Sequence, residues 1–159
     1  MTIAISPDDP EALDVGGCTY RVLHDGAETG GRLAVLEGHL SPGWSGPAQH
    51  LHRGFDESFY VVAGAVRFTS GAESVTFGPE RLLTAPIGTP HTFANAERAA
   101  PAVVLITLAP ECYLGYFREV SALPLGPDGR PDDAAVVEVM ARYDTERWRA
   151  GAEARPAPS

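Results

Sequence analysis

His50-Leu51-His52-Arg53-Gly54-Phe55-Asp56-Glu57, followed by Gly64, is the stretch on which the reading of this chain turns. In a β-strand, His50 and His52 point to the same face, because successive side chains alternate. The four residues between His52 and Glu57 suffice for a short turn into the next strand. A third histidine lies downstream in Pro86-Ile87-Gly88-Thr89-Pro90-His91, a Pro/Gly-rich turn leading into a short strand that ends near Asn95. A lone histidine in a β-domain is ordinarily an isolated polar contact. Four polar groups converging on one place are costly to bury without a partner that satisfies them all. His50, His52, Glu57 and His91 therefore read as the ligands of one divalent transition metal per chain: Fe, Mn, Ni, Co or Zn.

The sequence around this stretch reads as all-β. From 19 to 110, short apolar or alternating runs are separated by Gly, Pro and Asp, the pattern of a sandwich or barrel. The expected strands are 20–23, 33–40, 49–52, 58–63, 65–69, 74–77, 81–85, 91–95 and 103–108. Gly64, between two β-prone runs, reads as a hairpin turn where glycine takes positive φ cheaply. Counting by two places Glu57, Phe59, Val61 and Ala63 on one face, and His91, Phe93 and Asn95 on another. Phe59 and Phe93 are thus candidate substrate contacts beside the ligands. Asn95 is expected to be a structural hydrogen-bonder. The same counting puts Glu37 and His39 on the face of Leu33 and Val35. If that apolar pair points inward, Glu37 and His39 are substrate contacts near the barrel mouth; the alternative is a bulge that turns them to solvent.

Residues 1–18 read as a loose N-terminal arm, 111–148 as a helical segment and 149–159 as a disordered tail. One helix is expected over 111–120. A second is capped by Asp132 or Asp133 and runs to about 147, with Val136, Val139, Met140 and Tyr143 as its apolar stripe. Tyr113, Tyr116 and Phe117 either close the barrel as a lid, touching substrate, or cover its outer face.

Composition narrows the partners. The chain of 159 residues is long enough for one domain with a sizeable core. Twelve basic against twenty-one acidic residues give a formal charge of −9, which argues against nucleic acid or an anionic membrane as a partner. Cys18 and Cys112 show no zinc-type spacing and read as two unrelated thiols. The N-terminus carries neither a basic nor an apolar leader region, and no apolar run approaches the ~18 residues of a membrane span, so a soluble, cytoplasmic protein is expected.

The two histidine motifs resemble those of the cupin superfamily. Its first motif has the form HxH, three or four residues, E, six residues, G; here it is His50-Leu51-His52, Arg53 to Asp56, Glu57, Ser58 to Ala63, Gly64. Its second has the form PxG, two residues, H, three residues, N; here it is Pro86-Ile87-Gly88, Thr89-Pro90, His91, Thr92 to Ala94, Asn95. The glycine that opens each motif is displaced: Gly43 stands one residue early in the first, and Glu80 takes its place in the second. The resemblance implies a double-stranded β-helix, or jelly-roll barrel, with one or two C-terminal helices. A narrower resemblance, to single-domain quercetin 2,3-dioxygenase-like cupins, rests on Leu36-Glu37-Gly38-His39, Ser41-Pro42-Gly43, Gly46-Pro47 and Tyr113-Leu114-Gly115-Tyr116-Phe117-Arg118-Glu119. It implies a metal-dependent dioxygenase acting on a small aromatic or enolisable substrate, with Glu57 as both ligand and catalytic base. The alternatives are a non-redox cyclase, isomerase or dehydratase, or a small-molecule-binding cupin without turnover. A homodimer is expected, since open strand edges are otherwise an aggregation liability.

Overall fold

The computed structural model describes residues 8–151. The expectations for the beginning of the arm and for the tail beyond 151 lie outside the described residues. Eleven strands and two helices follow in the order β1 (Ala12–Val15), β2 (Cys18–His24), β3 (Ala34–Leu40), β4 (His50–His52), β5 (Asp56–Ala63), β6 (Val66–Ser70), β7 (Glu73–Phe77), β8 (Leu82–Ala85), β9 (Thr92–Asn95), β10 (Ala102–Ala109), α1 (Leu114–Ser121), α2 (Asp133–Arg142) and β11 (Thr145–Arg147). This is an all-β barrel with two C-terminal helices, as the sequence predicts.

One sheet has the order β1-β2-β3-β10-β5-β8, all pairs antiparallel. The opposing layer holds β7-β6-β9 and β11-β4. A two-way backbone bridge joins those smaller sheets: His50 N–H donates to the His91 carbonyl at 3.0 Å, and His91 N–H to the His50 carbonyl at 2.8 Å. Two of the expected metal ligands are thus cross-strand neighbours. The core between the layers follows the period-2 pattern. Ala102, Val104, Ile106 and Leu108 point inward from β10, and Glu57, Phe59 and Val61 from β5. Phe59, Phe68 and Phe93 meet at its centre, with Phe59–Phe93 centroids 4.8 Å apart.

Several expectations need correction. Part of the supposed arm is ordered: β1 pairs with β2 from Ala12↔Arg21 to Val15↔Cys18, and Leu13 is buried. Leu13 and Val15, its two inward apolar residues, are too short a pattern to mark a strand in the sequence. Gly64 does not close a hairpin, because β5 and β6 belong to different sheets. It is a corner between layers, with φ of 75°, where a Cβ would lie 2.7 Å from the Pro101 carbonyl. The second helix ends at Arg142 rather than near 147. Asp144 takes a left-handed φ of 47°, reversing the chain into β11, which lies along β4. Asp132 is the N-cap, accepting from Ala135 N–H at 3.0 Å. At the displaced motif glycine, Glu80 itself adopts a φ of 66°, so the turn geometry persists without glycine. Cys18 and Cys112 are both free.

Gly46 marks the closest approach in the barrel: its φ is 79°, and a Cβ there would fall 1.9 Å from the Phe93 carbonyl oxygen. Gly46→Ala should therefore lose about 4 kcal/mol or more, the severe end for a single substitution. Urea unfolding measures this, and a loss under about 1 kcal/mol would show that the loop yields.

Candidate metal centre

His50, His52, Glu57 and His91 are all buried, and one donor atom from each lies within 4.8 Å of the others. β4 supplies two imidazoles, its side chains alternating around Leu51. β5 supplies the carboxylate, and the turn before β9 supplies the third imidazole. Glu57 Oε2 sits 2.9 Å from His52 Nε2 and 3.0 Å from His91 Nε2.

The outward nitrogens are fixed. His50 Nδ1 lies 2.9 Å from the Ala48 carbonyl, His91 Nδ1 2.9 Å from the Thr89 carbonyl, and His52 Nδ1 2.9 Å from Thr145 Oγ1. A carbonyl only accepts, so His50 and His91 carry a proton on Nδ1 and direct Nε2 toward the cluster. This is how a histidine is held when the other nitrogen binds a metal. The ring of His52 packs against Phe55, at 4.1 Å, and Tyr113, at 4.7 Å between centroids, and those two rings touch each other at 4.8 Å.

The electrostatics fit a cation. Burial first, then the neighbouring His91 and His52, pushes the His50 imidazole down to about 3, so it stays neutral and able to donate a lone pair. Burial also lowers His52, against the pull of Glu57. Burial alone would raise the Glu57 carboxyl, but hydrogen bonds from His52 and His91, with their charge, hold it well below the usual carboxylate range. Burial would lower His91, yet its bond to Glu57 and that charge raise it. An ionised carboxylate among three buried imidazoles suits a divalent transition metal.

These shifts set an acid limit for the metal-free protein. Folded His50 takes its proton only near 3, against 6.5 ordinarily, so the unfolded chain binds more protons across that window. Stability then falls as pH drops from about 6.5 toward 3. His52, lowered, and Glu57, depressed in the folded state, add loss in the same direction, while the contribution of His91, raised, is gained above 6.5 and does not offset it. Thermal midpoints across this range should show the decline, and His50→Phe should flatten it. An unchanged slope would assign the decline to other groups.

A cavity of about 420 Å³ opens onto the cluster, with His50 and Glu57 in its lining. Six aromatic side chains contribute to its walls, Tyr20, Trp44, Phe93, Tyr113, Tyr116 and Phe117, alongside the charged Arg130, Asp133 and Arg147. Of the expected substrate contacts, Phe93, Tyr113 and Phe117 line this space. Phe59 does not; it is buried beneath His91, centroids 5.9 Å apart. Glu37 and His39 lie outside the barrel, Glu37 accepting from Arg21 Nη1 at 2.6 Å and meeting His39 Nε2 at 2.7 Å. The inward set of β3 is Ala34, Leu36, Gly38 and Leu40, so the assumption that Leu33 and Val35 face inward fails. No bulge is needed. Asn95 is structural, donating to the Leu40, Ser41 and Ala100 carbonyls and accepting from Glu97 N–H.

Sequence reading missed Tyr20, Trp44 and Thr145. Trp44 was recognisable only as a large aromatic beside a Pro-Gly turn. Its indole N–H reaches back to the Gly16 carbonyl at 2.8 Å, a contact across the fold.

Residues 36–108 match the family model described as the cupin domain. No curated protein matches the chain. Among solved structures, KdgF from Halomonas sp. is similar with a TM-score of 0.59 and 20% identity, over 70% of this chain and 96% of that one. The polyketide cyclase RemF from Streptomyces resistomycificus gives 0.58 and 22%, over 70% and 81%. A sugar phosphate isomerase of the cupin superfamily from Silicibacter pomeroyi gives 0.56 and 23%, over 69% and 77%. At these identities the likeness is one of fold. Among the described residues, no helix is long and apolar enough to cross a membrane.

Proposed function

From the match of residues 36–108 to the cupin domain and the geometry of the buried cluster, we propose a metal-dependent enzyme that removes a hydroxyl proton from a small aromatic or enolisable substrate. The observation that carries this reading is the placement of His50 and Glu57 in the lining of a cavity that six aromatic side chains share with Arg130, Asp133 and Arg147. A volume of about 420 Å³ lies within the range of small-molecule sites, and flat aromatic walls favour a flat ligand. His50, His52, His91 and Glu57 would hold the metal. When bound, it supplies Lewis acidity that lowers the pKa of a substrate hydroxyl.

Glu57 is the base in this reading. Its Oε2 lies within hydrogen-bond distance of His52 Nε2 and His91 Nε2. Imidazoles that turn their lone pairs to a cation no longer donate to Glu57, which leaves a carboxylate oxygen free to accept the substrate proton. Tyr113 and Phe117 cover the substrate and exclude water, which strengthens the interaction of the resulting anion with nearby charge.

Two continuations follow proton removal. Dioxygen addition to the electron-rich substrate makes the chain a quercetinase-like dioxygenase. Acid–base chemistry alone makes it a cyclase, isomerase or dehydratase. The second is supported by the similar folds, which include a polyketide cyclase and a sugar phosphate isomerase. Oxygen uptake by the metal-loaded protein with flavonols and polyphenols decides between them. Uptake supports the dioxygenase, while substrate loss under anaerobic conditions supports acid–base chemistry. Binding without loss of any substrate in either condition would leave a binding protein. A cytoplasmic homodimer completes the proposal.

A further inference from the structure

The three imidazoles are anchored by different chemistry. Backbone carbonyls hold His50 and His91 from within two residues along the chain. His52 is held instead by a side chain from the C-terminal strand, Thr145, 93 positions away. The Thr145 hydroxyl donates to the Tyr143 carbonyl at 3.1 Å, so its oxygen can accept from His52 Nδ1–H when His52 Nε2 gives its lone pair to a metal.

We propose that Thr145 is a positioning residue that holds His52 in ligand geometry, so that β11 is an integral part of the metal centre. The inference rests on the metal reading of the cluster. Thr145 and His52 are both buried, so water does not readily replace a missing hydroxyl. Phe55 and Tyr113 pack on the ring of His52 and limit its choice of another acceptor. The register places Thr145 opposite His52 and Arg147 opposite His50, so β11 backs both ligands of β4. Arg53 N–H to the Asp144 carbonyl and Trp148 N–H to the Gln49 carbonyl, each at 2.9 Å, fasten the two ends. Linkage is reciprocal: if docked β11 favours metal, bound metal favours docked β11.

The test uses metal-stripped full-length protein, with zinc affinity measured by competition against a chromophoric chelator. Thr145→Val keeps the shape and removes the acceptor, and should weaken zinc about 10–100-fold, as loss of a hydrogen-bond partner behind a metal-bound histidine typically does. Thr145→Ser keeps the hydroxyl and should return affinity to within a few-fold of wild type. Zinc should also slow hydrogen exchange of amides 145–148 in the wild type and the serine variant, and do so less in the valine variant. Should the valine chain fail to fold, Thr145→Ala replaces it under the same criteria. A valine variant matching wild type, a serine variant as weak as valine, or exchange unaffected by zinc in the wild type each overturns the inference while leaving the metal centre standing. A wild type that takes up no zinc overturns both.

Discussion

His50→Ala combined with His52→Ala should abolish metal uptake. Both imidazoles come from one three-residue strand, so the pair can be removed without touching β5 or β9. His91 and Glu57 remain, and two ligands do not hold a transition metal in a site built for four. Loss of a hydrogen-bond partner behind a ligand already costs about 10–100-fold in affinity, so loss of two ligands should exceed that by a wide margin. Elemental analysis of wild type expressed in metal-replete medium should show close to one metal per chain, against background for the double variant. A wild type that takes up no metal under any loading condition removes the basis for the proposed chemistry. The double variant should also be checked for folding by circular dichroism, since two buried rings are lost.

Glu57→Gln should separate binding from turnover. Three imidazoles remain, so most of the metal should stay, while the proton acceptor facing the cavity is lost. Removing a general base typically costs about 10²–10⁴ in rate, far more than one carboxylate contributes to retention of metal by three histidines. His91→Ala should lose metal and activity together. Occupancy and rate need to be measured on the same preparations, with the rate expressed per bound metal. Should Glu57→Gln match wild type on that scale, Glu57 is a structural ligand. Glu37, facing solvent beside Arg21, is then no substitute, and the acceptor must come from the cavity lining.

The clustering of the four residues was legible because its information is local. HxH spacing and strand periodicity place side chains without knowledge of the partner strands, and the structure brings all four groups together as the motifs predict. The misreading of β3 has a physical source. Both alternating sets of that strand contain apolar residues, and its inward set includes Ala34 and Gly38, whose smallness hid the inward face. Gly38 is small for a reason invisible in sequence: a Cβ there would meet Val104 Cγ2 at 3.1 Å. Gly64 announced positive φ correctly, yet a corner and a hairpin need the same local conformation and differ only in what the next strand pairs with. β11 was the least legible element. Thr145-Glu146-Arg147 has no apolar alternation, and its strand conformation comes from pairing with β4.

That pairing also sets the order in which the protein acquires its chemistry during synthesis. His52 leaves the ribosome 93 positions ahead of the threonine that anchors it. At about 5–20 residues per second, the interval is on the order of 5–20 s. Over that time the β4 histidines are present without the strand that backs them, and the nascent chain is a poor competitor for scarce cations. If Thr145 anchors a metal-binding His52 as proposed, metal loading belongs after translation, drawing on whatever ions the finished barrel meets rather than on those near the ribosome.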